Sequence, residues 1–117
     1  MTKSKRKLGV GMNRYQRMAE ETANYPRERA LDYVTLGLAG EAGEVANKVK
    51  KIIRDDAGAL TDEKRHAIAE ELGDVLWYVA MAAKEIGYSL DEIALMNYAK
   101  LRSRAKRGKI GGSGDER

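Results

Sequence analysis

Residues 75–83, Val-Leu-Trp-Tyr-Val-Ala-Met-Ala-Ala, are apolar on nearly every side of a helix. Such a helix has to be enclosed by neighbours. The stretch is too short for the roughly 20 residues of a membrane span, so the neighbours are other helices of the chain or of a second copy. Elsewhere apolar positions recur at spacings of three and four, and no strand-like alternation is present. At 117 residues the chain suits one domain with a modest core that gains from self-association. The pattern predicts an all-α bundle of four helices that forms a homo-oligomer.

Capping residues place the helices. Asn13 is the expected N-cap of a first helix reaching Ala23, with Tyr15, Met18, Ala19 and Thr22 on one face. Pro26, the single proline, disfavours helix in the residue before it, so residues 24–31 are expected to form a loop. The second helix is expected from Asp32 to Arg54, burying a stripe of Leu38, Ala42, Val45, Val49 and Ile52. Asp55-Asp56-Ala57-Gly58 ends it, with Gly58 as the C-terminal glycine. Thr61 caps the third helix, whose first turn carries Asp62 and Glu63 and whose seam is Ile68, Leu72, Val75, Val79 and Ile86. Trp77 falls opposite that seam and is expected to fill a contact between subunits. Gly87 stops the third helix, and Ser89 with Glu92 has capping-box spacing for a fourth, which continues to about Lys106. A basic leader (1–11) and a glycine-rich tail (108–117) flank a domain over 12–107.

Two pairs of acids stand out: Glu41 with Glu44, and Glu71 with Asp74. Helical residues three apart project together, and both pairs fall at the edge of an apolar stripe. Packed side by side, the two helices would bring four carboxylates to one point. Like charges that close repel unless a cation lies among them, and oxygen donors suit a hard ion such as Mg²⁺ or Mn²⁺. Gly40, Gly43 and Gly73 beside the acids suggest a close approach to the backbone there. The plainer alternative is solvated acids on closely packed helices.

Composition removes other chemistries. Without cysteine there is no disulfide, thiolate nucleophile or Cys-type zinc site. A single histidine leaves little scope for a catalytic triad; that residue, His66, reads as a surface position. No apolar run approaches a membrane span, and the basic N-terminus lacks the apolar core of a signal peptide, so the expected compartment is the cytoplasm. The net charge is +4, concentrated at Lys3, Lys5, Arg6 and Lys7 and from Lys100 to Lys109. Basic ends suit an anionic partner, either nucleic acid or a nucleotide phosphate, or plain solvation, while the acidic middle argues against a general nucleic-acid surface. The tail Gly111-Gly112-Ser113-Gly114 is no phosphate loop, since no strand precedes it.

The stretches Gly-Leu-Ala-Gly-Glu-Ala-Gly-Glu-Val-Ala (37–46) and Glu-Glu-Leu-Gly-Asp-Val-Leu-Trp-Tyr (70–78) closely resemble the MazG-like nucleoside triphosphate pyrophosphohydrolases of the all-α NTP pyrophosphatase superfamily. Asn97-Tyr98-Ala99-Lys100-Leu101-Arg102-Ser103-Arg104 resembles that family's fourth-helix signature, and the glycine-rich ending resembles its short, often phage-encoded members. The resemblance implies a Mg²⁺-dependent enzyme, with Mn²⁺ a possible substitute, that splits a nucleoside triphosphate into the monophosphate and pyrophosphate. It implies Glu41, Glu44, Glu71 and Asp74 as metal ligands and catalytic residues. Lys100 and Arg104 would clamp the β- and γ-phosphates. Many members carry a further Glu where this chain has Gly40, which leaves open the number of ions and which carboxylate is the base. Among further substrate contacts, Lys48 lies one turn beyond Glu44, and Tyr78 shares the acidic edge. Asn97 is a candidate for sugar or phosphate, and Gln16 and Asn13 for the base edge. The expected assembly is a homodimer or homotetramer, with the fourth helix closing the site and nucleic acid not a partner. Two alternatives remain at this stage: a pyrophosphohydrolase acting on phosphoribosyl-ATP or dUTP, and a non-enzymatic basic helical module that binds nucleic acid.

Overall fold

In the computed structural model, which describes residues 9–108, the chain is all helical. Helix α1 spans Met12–Glu20, a 3₁₀ turn Arg27–Arg29, α2 Ala30–Asp55, α3 Asp62–Glu85 and α4 Leu90–Lys106. No strand occurs among the described residues, and none of their helices is long and apolar enough to cross a membrane. The basic leader and the glycine-rich tail fall almost wholly outside the described residues.

The expected caps form on α3 and α4. Thr61 Oγ1 accepts from the Lys64 amide at 3.1 Å. Ser89 Oγ accepts from the Glu92 amide at 3.1 Å while Glu92 Oε1 accepts from the Ser89 amide at 2.8 Å, a complete capping box. Gly87 has φ +84°, and the Tyr88 amide bonds back to the Ala83 carbonyl. Only glycine takes that left-handed turn without steric cost, so α3 stops there and α4 begins at once.

The first helix departs from expectation at both ends. Gly11, not Asn13, is its N-cap, and the helix ends three residues early, at Glu20. Trp77 explains the early end: its indole N–H donates to the Ala19 carbonyl at 3.1 Å and the Thr22 hydroxyl at 2.9 Å. Trp77 therefore packs beneath α1 of its own chain. Tyr25 is buried just beyond, stacked on Tyr33 at 5.3 Å and edge-on to Trp77 at 6.3 Å. Its hydroxyl donates to Glu85 Oε2 at 2.6 Å, and Arg27 pairs with the same carboxylate at 2.9 Å. This lock ties the loop after α1 to the end of α3 and lets α2 begin at Ala30, two residues before the expected Asp32.

Helices α2 and α3 run antiparallel as the central pair, and α1 lies across α3. Val34, Met81 and Ala80 are fully buried at the centre, with Ala19, Ala30, Ala83 and Leu90 around them. The stripe facing α3 is Val34, Leu38, Glu41, Val45, Lys48 and Ile52. Ala42 and Val49, expected inside, are exposed, as are Leu72 and Ile86 of α3. Both helices have a second apolar stripe about a quarter-turn from the first, and packing selected the one that carries Glu41 and Glu71.

Candidate active site

Glu41 and Glu71 occupy facing positions in the α2–α3 seam, each half-buried. Asp74 lies one turn along α3 from Glu71, and one oxygen from each of the three carboxylates lies within 4.8 Å of the others. Glu44 does not join this group; it is exposed, one turn along α2, and its charge still acts on Glu41. The fold thus brings three of the four expected acids together.

The cluster is electrostatically loaded. Glu41 titrates above the usual carboxylate range. The largest cause is its hydrogen-bonding contact with the Glu71 carboxyl, followed by burial and by the charges of Asp74, Glu71 and Glu44. Two ionised carboxylates have no proton to share, and Glu71 Oε2 is buried without a hydrogen-bond donor. An orphaned anionic oxygen in a half-buried pocket calls for a cation. Oxygen ligands of a Mg²⁺ ion held at about 2.1 Å lie no more than about 4.2 Å apart, so a small contraction would complete the set. These residues fit a hard divalent cation.

A cavity of about 320 Å³ opens on the cluster, lined by Glu41, Asp74, Trp77 and Tyr78. The Trp77 and Tyr78 rings meet edge to face at 5.0 Å. A Cβ at Gly37 would overlap the Tyr78 ring, so that glycine is what allows Tyr78 to lie against α2. Gly40, Gly43 and Gly73, in contrast, face open space: among the described residues nothing packs within 4 Å of where a Cβ would stand. Tyr15 of α1 stands near enough to feel Asp74, and burial with that charge raises its hydroxyl above the usual range. Tyr15 and Trp77 were not expected at the site. Tyr15 reads as an ordinary core aromatic of α1, and only the crossing of α1 over α3 brings it there.

Lys48 reaches across to α3, not along α2 to Glu44: its ammonium lies 3.7 Å from Glu71 Oε1. Asn13 and Gln16 are committed elsewhere. Asn13 Oδ1 accepts from the Asp91 amide at 3.0 Å. Gln16 Oε1 accepts from the Leu90 amide at 3.2 Å, and its Nε2 donates to the Ala80 and Tyr88 carbonyls at 3.1 Å each. Both side chains satisfy backbone groups at the α3–α4 corner, so the amide of Gln16 is already fully engaged there. Helix α4 touches α1 and the end of α3 but makes no contact with α2 among the described residues. It does not close over the acids. Asn97 and Lys100 line a separate cavity of about 290 Å³ with Ile93 and Met96, and Arg104, 4% exposed, is buried.

Fold and site together define an all-α protein whose acidic cluster suits a hard divalent cation. The chain belongs to the MazG nucleotide pyrophosphohydrolase domain family, whose pattern matches residues 30–108. It is also similar to the Gene 37 protein of Mycobacterium phage L5, 50% identical over 109 residues, which cover 88% of this chain and 96% of that protein. No solved structure was found to match it.

Proposed function

We propose that this protein hydrolyses a nucleoside triphosphate to the monophosphate and pyrophosphate with Mg²⁺, serving nucleotide-pool cleansing or control. The supporting observation is the meeting of Glu41, Glu71 and Asp74, with one oxygen orphaned, beneath an aromatic-walled cavity. A triphosphate is too negative to approach these carboxylates unless a cation lies between them. Glu41, Glu71 and Asp74 would hold a divalent ion, with Glu44 one turn along α2 as a further carboxylate in reach of a rotated side chain. Such an ion would offset the phosphate charge, polarise the α-phosphoryl group and acidify a water for in-line attack. One of the glutamates takes the proton of the attacking water. The faces of Trp77 and Tyr78 wall the cavity against the nucleoside. The indole N–H, already bonded to Ala19 and Thr22, is not offered to the base. Asn97, Lys100 and Arg104, which the family resemblance would put on the phosphates or sugar, lie away from the acids within one chain, and they would serve there only if α4 moved toward the cluster.

Pyrophosphate release is to be measured from a panel of NTPs and dNTPs, dUTP and phosphoribosyl-ATP, with wild type and Asp74→Ala. Release that vanishes in the variant is expected. Diphosphate plus orthophosphate as products would overturn the reading.

A second copy is part of this proposal. Leu31, Val49 and Ile53, which share one face of α2, and Leu72 and Leu76 of α3 are all at least 41% exposed. At about 1.5 Å per residue, helices of 26 and 24 residues are about 36–39 Å long. Two of them side by side, each about 10 Å across, offer roughly 700 Å², near the ~800 Å² per partner of a stable interface. The Cα radius of gyration, 17.2 Å, also exceeds the roughly 13 Å of a compact chain this long. A homodimer by light scattering, converted to monomer by Leu72→Glu, is expected. A monomeric wild type at 100 µM (about the scale of such an assay) would refute it.

A further inference from the structure

Lys48 is an unusual occupant of the α2 seam. It stands between Val45 and Ile52 on the face turned to α3, and its side chain is only 32% exposed. Its ammonium takes Glu71 Oε1 at 3.7 Å, while Glu71 Oε2 is left buried without a donor. The two oxygens of one carboxylate thus have different surroundings. The ammonium serves one end of the cluster, and the other end keeps its excess negative charge.

Charge balance follows from these positions. Glu41, Glu71 and Asp74, the acids that converge, leave two net negative charges once Lys48 is counted. One divalent ion neutralises that set, and a second would leave it two charges positive. Without the ammonium, one ion leaves the three carboxylates one charge negative, and a second overshoots by only one charge. We infer that Lys48 is a resident cation of the acid cluster, a positioning residue that holds Glu71 Oε1 and restricts the free protein to one divalent ion. The inference rests on the metal-binding reading proposed above. It makes this seam lysine part of the site's electrostatics: Glu41, Asp74 and Glu71 would hold the ion, with Lys48 on one Glu71 oxygen.

The test is a titration of the full chain with Mn²⁺ alone, without nucleotide, following unbound Mn²⁺ by electron paramagnetic resonance, with folding checked by circular dichroism. Wild type is expected to bind one Mn²⁺ per chain, Lys48→Arg one, and Lys48→Gln two. Lys48→Met, which keeps the apolar stem in the seam, serves if Lys48→Gln does not fold. Two ions on wild type, or one ion with unchanged affinity on the folded Gln or Met variant, would overturn the role of Lys48. No Mn²⁺ bound by wild type at millimolar concentration would overturn the metal-binding reading itself, and with it this inference.

Discussion

Gly37 of α2 lies directly under the ring of Tyr78 of α3, so close that even a methyl group at position 37 would overlap it. The contact sets how near the two central helices approach beside the acids, since Glu41 follows Gly37 by one turn and Asp74 precedes Tyr78 by one turn. A backbone hydrogen at one position therefore determines the width of the carboxylate cluster.

Gly37→Ala tests this directly. Overpacking a close contact costs about 1–3 kcal/mol, against which alanine's better helix propensity returns about 1 kcal/mol. A lower thermal midpoint is expected, together with weaker Mn²⁺ binding, because the spread helices separate Glu41 from Asp74. An unchanged midpoint and unchanged metal affinity would show that Tyr78 simply swings aside.

Glu41 gives a pH dependence. Its pKa is raised in the folded protein, first by the Glu71 carboxyl and then by burial and the neighbouring acids. A carboxyl group with a raised folded pKa binds its proton more tightly in the folded state. Stability of the metal-free protein from this group therefore falls as pH rises from the unfolded value, about 4.3, through the folded one. In EDTA, Glu41→Gln is expected to melt higher than wild type at pH 7, with the difference shrinking at pH 4. Added Mn²⁺ should raise the wild-type midpoint and leave the variant's nearly unmoved.

Glu85 behaves in the opposite sense. The Tyr25 hydroxyl and then Arg27 hold its carboxyl below the usual range. The stability it contributes is present above the unfolded pKa and is lost as pH falls through the lowered folded value. Wild type should lose thermal stability steeply below about pH 4, and Glu85→Gln should show a flatter acid limb and a lower midpoint at neutral pH. Parallel acid limbs would place the acid sensitivity elsewhere.

Gln16 separates a structural role from a substrate role. Gln16→Leu leaves the Leu90 amide and two carbonyls without their partner, a loss of about 1–3 kcal/mol for a buried group left unsatisfied. A lower midpoint with KM for the triphosphate unchanged is expected. A raised KM at unchanged stability would return Gln16 to the base.

Much of this protein was legible as a string. Thr61, Ser89 with Glu92, and Gly87 mark helix ends because capping is settled within a few residues of chain. The acid pairs were visible because their spacing is that of one helical turn. Which apolar stripe of α2 turns inward was not legible. Leu38-Ala42-Val45-Val49-Ile52 and Val34-Leu38-Glu41-Val45-Lys48-Ile52 have the same periodicity, and a helix has no inside until a neighbour packs on it. The small difference in hydrophobicity favoured the wrong stripe, since a half-buried Glu and Lys are tolerated only when α3 supplies their partners.

The sequence by itself therefore determined the number and helical character of the segments, the ends capped by Thr61, Gly87 and Ser89, and the candidacy of Glu41, Glu44, Glu71 and Asp74, all of which depend on neighbours within a turn or two. Only the tertiary structure decided that Glu41, Glu71 and Asp74 converge while Glu44 stands apart. It also decided that Lys48 answers Glu71, that Trp77 and Tyr15 face the site, and that Asn13 and Gln16 brace a corner. Each of these depends on side chains far apart in the chain, whose meeting is set by the packing of whole helices and not by the residues' own spacing.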